Sequence, residues 1–220
     1  VQNSRKVLVQ GVGINDADYP VNPRVDGKVV VCPYYRAWAS LLARCYSEAV
    51  HKAQPTYVGC SVIEEWLRFS TFRGWMETQI WRGLNLDKDI IVPGNMIYGP
   101  DTCAFVPGYV NVFFNSHSLR EKTLPLGVSY MKKTPDMINE MNKPYAARLR
   151  EYGKCKLLGR YSDPLDAHKA WQIGKVESIK NLMQRYKEDE NFNIKVYSGL
   201  EVRISILERA INSSEVTKCL

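Results

Sequence analysis

The spacing of apolar residues changes several times along the chain, and each change predicts an element. Residues 28–32, Lys-Val-Val-Val-Cys, form a short apolar run that predicts a buried strand. Pro33 suits the first turn of a helix. Tyr35, Trp38, Leu41, Leu42 and Cys45 then recur at helical intervals, which predicts an amphipathic helix over 34–47. Residues 48–60 read as a loop. Ser61-x-x-Glu64 has the form of a capping box. It predicts a helix start, with Ile63, Trp66 and Leu67 inward and Phe72, Trp75 and Met76 beyond a break. Two short runs, 86–92 and 103–106, predict strands, and Pro107 opens a helix to about 117. Aromatic residues at these intervals predict a core.

The period shifts to two after Leu124. Residues 127–130 predict a strand, and a polar connection follows from Met131 to Pro144. In Tyr145 to Arg150, Tyr145, Ala147 and Leu149 alternate with Ala146, Arg148 and Arg150. Gly153 predicts a hairpin turn, and residues 154–161 a third strand. Ser162, Asp163 and Pro164 signal a helix start. Ala167, Ala170, Trp171, Ile179, Leu182, Met183 and Tyr186 supply that helix's apolar positions.

Composition narrows the class. The 220 residues allow one large domain or two small ones. Apolar runs of only a few residues exclude a membrane-spanning helix. The N-terminus lacks a basic-then-apolar signal pattern, which predicts a cytoplasmic protein. The six cysteines form no Cys-x-x-Cys pair, and with three histidines no zinc spacing arises, so they read as reduced core or surface thiols. Charge is uneven: residues 1–120 carry 12 Lys/Arg against 10 Asp/Glu, residues 121–187 carry 14 against 7, and residues 188–220 carry 4 against 6. A basic block between near-neutral ends suits a polyanion partner.

Two sets of motifs carry a resemblance. Gly127-Val128, Tyr145-x-Ala147-x-Leu149, Leu158-Gly159-Arg160-Tyr161 and Asp166-Ala167-His168-Lys169-Ala170-Trp171 resemble the AP2 DNA-binding domain. That resemblance implies a helix packed behind a three-stranded sheet whose other face enters the DNA major groove. Arg148 and Arg150 are then the leading DNA contacts, with Lys132, Lys154, Lys156 and Arg160 as neighbours; His168 reads as structural. Upstream, Tyr35-x-x-Trp38, Arg44-Cys45-Tyr46, Cys60-Ser61-Val62, Glu65-Trp66, Phe69-x-x-Phe72 and the segment from Leu86-Asp87 to Asn111 resemble the ββα-metal (HNH) half of phage HNH–AP2 proteins of the homing-endonuclease type.

The finger resemblance implies a metal-dependent endonuclease holding one Mg²⁺ or Mn²⁺. Asp87 corresponds to the metal-binding Asp, Asn111 to the final ligand or its supporting amide, and Asn95 to the Asn that braces the loop. The family has His directly after the Asp, and this chain has Lys88. His suits general-base work because it titrates near neutrality. A charged Lys is a poor base, though it can bind phosphate. Asp89, His117 and His51 are the other candidate bases, while Asp87-Lys88-Asp89 also reads as a surface ion pair near a strand end. Three functions stay open: a DNA endonuclease, a non-cleaving sequence-specific DNA-binding or regulatory protein, and a phage factor that binds a host protein. The expected fold is α+β. It comprises an irregular segment 1–33, an HNH-like finger domain 34–120, an AP2-like domain 121–187 and a tail 188–220.

Overall fold

The structure is a computed structural model and describes residues 7–114, 123–131, 142–218 and 220. The fold is α+β, mixing helices with small sheets. It divides into two compact units: one runs to Asp89 and includes Asn95–Phe105, and the other joins Ile90–Gly94 to the chain from Val106 onward. Among the described residues no helix is long and apolar enough to cross a membrane.

In the first unit, β1 (Arg24–Val25) and β2 (Lys28–Val29) form an exposed hairpin around Asp26-Gly27, both at positive φ. The buried strand expected at 28–32 is therefore corrected. The tight turn folds the segment back at the surface, where Val29 is 54% exposed. Helix α1 (Pro33–Tyr46) forms as its periodicity predicts, burying Trp38, Leu41, Leu42 and Cys45. The loop expected at 48–60 instead holds α2 (Glu48–Ala53) and a 3-10 turn at Pro55–Tyr57. Ser47 caps α2 by accepting from the Val50 N–H. Pro55 forces Gln54 out of the helical region and ends it.

The capping box at Ser61 is also corrected. Helix α3 (Phe69–Glu77) starts later, after a 3-10 turn at Glu64–Leu67. Four short strands surround it in sequence: β3 (Ser61–Val62), β4 (Asn85–Asp87), β5 (Ile97–Tyr98) and β6 (Ala104–Val106). Ser61 is extended because β3 pairs in parallel with β5; its N–H goes to the Met96 carbonyl and that of Ile63 to Tyr98, both at 3.0 Å. Strand β4 pairs with β6. The strand expected over 86–92 stops at Asp87, whose Oδ1 accepts the Asp89 N–H at 2.9 Å and turns the chain out of the ladder.

These elements close on an aromatic core. Trp38 is fully buried and donates its Nε1–H to the Trp66 carbonyl at 2.7 Å. Phe69 packs on Trp38, Phe72 meets Trp66 edge-on at 5.1 Å, and Trp75 stacks on Phe105 at 5.7 Å. Trp38→Ala would empty the centre of this cluster and leave the Trp66 carbonyl unpaired, a loss of about 3–5 kcal/mol.

The second unit opens with α4 (Gly108–Phe114); the expected extension of this helix to 117 lies outside the described residues. Strands β7 (Val128–Tyr130), β8 (Tyr145–Glu151) and β9 (Lys154–Tyr161) form an antiparallel sheet in that order. Tyr152 and Gly153, both at positive φ, make the two-residue turn between β8 and β9. Helix α5 (Pro164–Lys187) starts where expected, with Asp163 accepting from the Leu165 N–H at 2.6 Å. It packs on all three strands. Gly127, at φ +75°, permits this approach: a Cβ there would lie 1.9 Å from the Trp171 ring.

Within 188–220, expected as a C-terminal tail, lies a second long helix, α6 (Ile194–Ser213), which packs along α5. Asn193 caps it by accepting from the Lys195 N–H at 2.9 Å. Its buried side is Val196, Gly199, Leu200, Arg203, Leu207 and Ala210. A glycine and an arginine inside that stripe break the apolar period that would have announced it.

Candidate finger and nucleic-acid interface

Strand β4, a loop that also holds β5, strand β6 and helix α4 follow one another along the chain. Asp87 ends β4 with its carboxylate bound to the Asp89 N–H. Asn95 braces the loop: its Nδ2 donates to the carbonyls of Lys88 and Ile97, both at 2.7 Å, and its Oδ1 accepts from the Ile97 N–H. One amide thus ties the two ends of the excursion together.

Lys88 is buried, with 9% of its surface exposed, and its Nζ bonds Asp89 Oδ2 at 3.0 Å. It does not project into solvent, where a base would meet DNA. Three buried thiols, Cys45, Cys60 and Cys103, lie within reach of its charge. Burial pushes Cys45 and Cys103 up to about 12 and raises Cys60 as well, so these thiols are protonated at neutral pH. Arg44 donates to the Leu86 carbonyl at 3.3 Å and lies over the Tyr57 ring. Burial opposes its charge, but Tyr98, Tyr57 and Asp87 outweigh that and raise its pKa.

The remaining candidate bases are placed differently. His51 Nε2 is 2.9 Å from the Arg44 carbonyl. A carbonyl only accepts, so Nε2 is the donor in this contact. Asp89 is committed to Lys88, and His117 lies outside the described residues. Asn111 sits on α4, in the second unit, whereas Asp87, Lys88, Asp89 and Asn95 belong to the first.

The first-unit residues do not fit a divalent ion. Mg²⁺ and Mn²⁺ want anionic oxygen donors. Here Asp87 and Asp89 are balanced by two cations, Arg44 and Lys88. One Asp87 oxygen accepts a backbone N–H and one Asp89 oxygen accepts from an ammonium. The thiols nearby are soft, neutral donors.

In the second unit, Lys175 and Arg203 pack against Phe113 and Phe114 of α4. Lys175 Nζ donates to the Phe113 carbonyl at 3.3 Å and lies 3.9 Å from the centre of the Phe113 ring. Arg203 lies over Phe114 at 4.7 Å and donates to the carbonyls of Ile90 and Gly199. Positive charge over aromatic faces is favourable. Lys175, one of the cations of the basic block 121–187, is thus an internal anchor. His168 is also internal. Its Nδ1 faces the Leu126 carbonyl at 2.8 Å and its Nε2 accepts the Thr217 N–H at 3.0 Å, so both bonds need the neutral ring with hydrogen on Nδ1.

The register of the sheet decides which basic residues share a face. Directly paired residues point the same way. Arg148 pairs with Leu157, Arg150 with Cys155, and Ala146 with Arg160 and Ser129. Arg148, Arg150 and Arg160 therefore line one face. Tyr145, Ala147 and Leu149 line the other, with Ala147 and Leu149 buried on the α5 side. The irregularity between Ala147 and Arg148 keeps Arg160 in step with the other arginines, because β9 carries one extra residue, Leu158. Lys154 pairs with Glu151 and Lys156 with Leu149, so both lysines belong to the α5-side face, at its exposed end. Lys132 lies outside the described residues. Sequence reasoning missed Ser129, whose Oγ accepts from Arg148 Nε at 3.2 Å and holds that side chain across the sheet; only the strand pairing reveals it.

A cleft of about 640 Å³ in the first unit has an apolar floor of Ile63, Trp66 and Trp75 and carboxylates from Glu65 and Asp101 at its edge. Those carboxylates make the rim of the cleft acidic. No family model, curated protein or solved structure matches this chain.

Proposed function

We propose that the protein binds double-stranded DNA through the face of its three-stranded sheet that carries Arg148, Arg150 and Arg160, in the manner of the AP2 domain its sequence resembles. The observation that carries this reading is the register, which gathers three arginines on the face opposite α5. Arginine forks onto guanine O6/N7 or clamps phosphate. Arg148 and Arg150 are exposed on that face, and α5 packs against the sheet from the other side.

The finger is read as a brace and DNA-proximal scaffold in a phage-type protein, without cleavage. Lys88 occupies the position of the family's base but is buried in an ion pair. The endonuclease reading draws on the strand–loop–strand–helix order and the Asn95 brace. The experiment that separates the two incubates the full chain with plasmid and duplex DNA in EDTA and in Mg²⁺ or Mn²⁺, scoring retardation and cleavage. Retardation without cleavage is expected in both conditions. Cleavage that appears with metal would replace the scaffold reading with the nuclease. No retardation at low salt would remove the DNA-binding reading and leave the host-protein factor.

A further inference from the structure

We propose that the cation of this finger is built into the chain: the Lys88 ammonium neutralises the acidic turn Asp87/Asp89, so the finger folds without a divalent ion, and removing that ammonium turns the same acidic turn into a divalent-cation site. The inference rests on reading residues 85–114 as a finger and is independent of whether the chain binds DNA.

The geometry has four parts. Asp87 and Asp89 lie on one turn, closed by the Asp89 N–H bond to Asp87 Oδ1 at 2.9 Å. Lys88 lies between them in sequence, and its Nζ pairs with Asp89 Oδ2 at 3.0 Å. Asn95 fixes the Lys88 backbone by donating to its carbonyl at 2.7 Å. The side chain runs inward, only 11% exposed, to a place where the thiols of Cys45, Cys60 and Cys103 feel its charge.

Charge and volume both follow from this arrangement. Among the described residues, the two carboxylates face two cations, Lys88 and Arg44, which balance the charge that would attract a metal. An incoming divalent ion would meet a buried ammonium that cannot move into solvent without breaking its ion pair. Lys88→Ala removes one positive charge and a four-carbon stem. The turn then carries a net negative charge beside an empty volume, and small hard ions bind through one or two carboxylates completed by water. Lys88→Met removes the charge and keeps most of the stem, so it separates charge from volume.

The test is thermal melting of the full chain in EDTA and in millimolar Mn²⁺, with bound Mn²⁺ counted by electron paramagnetic resonance. The wild type is expected to melt at the same temperature in both and to bind no Mn²⁺ stoichiometrically. Lys88→Ala is expected to melt lower in EDTA and to bind one equivalent. It should regain about 5–10 °C when Mn²⁺ is about 100-fold above its dissociation constant. Adding Asp87→Asn should abolish that gain. A wild type that binds one equivalent of Mn²⁺ overturns the proposal, as does a folded Lys88→Ala protein that ignores the metal. If neither Lys88→Ala nor Lys88→Met folds in EDTA, refolding in Mn²⁺ decides: recovery supports the proposal and failure overturns it. None of these readouts contains DNA, so a failure of the DNA-binding reading leaves them unaffected.

Discussion

Lys175 gives the second unit a stability that rises with pH. Burial pushes this lysine down to about 8 from its ordinary 10.5, with Glu151 pulling it back up and Arg203 pushing it further down. Below pH 8 the group is protonated in both folded and unfolded chains, so the cost of burying the ammonium is fully present. Between pH 8 and 10.5 the unfolded chain holds the proton and the folded chain has released it. Unfolding then takes up protons, and stability increases with pH across that window. Two and a half pKa units at 1.36 kcal/mol each set a ceiling of about 3 kcal/mol. Of this, about 2 kcal/mol is gained between pH 7 and roughly 9.5. Lys175→Met supplies the control. At pH 7 its effect is close to neutral, because relief of the buried charge offsets the lost bond to the Phe113 carbonyl and the lost contact with the Phe113 ring. The assay is urea unfolding of both proteins at the two pH values, followed by fluorescence. The gap between wild type and variant should shift by about 2 kcal/mol in favour of the wild type at the higher pH. Parallel pH dependences would refute the placement of Lys175 inside the fold.

Gly199→Ala should cost about 3 kcal/mol, because a Cβ there would lie 2.2 Å from the Ile90 carbonyl oxygen, a backbone atom with little room to yield. A thermal melt unchanged by this substitution would show that α6 does not close on residues 90–94. Cys155 is exposed, so it should react with a thiol reagent in the native protein while Cys45 and Cys103 react only on unfolding. Peptide mapping of the labelled protein reads this directly, and native labelling of Cys45 or Cys103 would contradict their burial.

The parts of this fold that were legible in the sequence are those where one local rule acts alone. Helix α1 shows an uninterrupted apolar stripe, α5 shows Asp163-Pro164 at its start, and the β8–β9 hairpin shows alternation ending at Gly153. Helix α6 was hidden because Gly199 and Arg203 stand where apolar residues were expected, and both are there for tertiary reasons: one admits the Ile90 backbone and the other bonds it. Ser61 looked like a cap because the motif is local, but pairing with Ile97 is not. The candidate site divides in the same way. Resemblance pointed to Asp87 and Asn95. The inward course of Lys88 was illegible, since a lysine flanked by aspartates reads as a surface ion pair. The separation of Arg160 from Lys154 and Lys156 on the same strand depends on a one-residue shift in register, which no alternation pattern reveals.

The central claim is that the arginine face of the sheet holds duplex DNA. The most direct measurement is the affinity of the full chain for duplex DNA by fluorescence anisotropy between about 50 and 200 mM salt, for the wild type and for Arg148→Ala/Arg150→Ala. Three arginines on phosphates correspond to a slope of about −2.7 in log affinity against log salt, or about 40-fold weaker binding over that range. The double variant should bind at least about tenfold more weakly at the lower salt, with a shallower slope if both side chains contact phosphate rather than bases. Equal affinity and equal slope for the two proteins, with the variant melting like the wild type, would contradict the account.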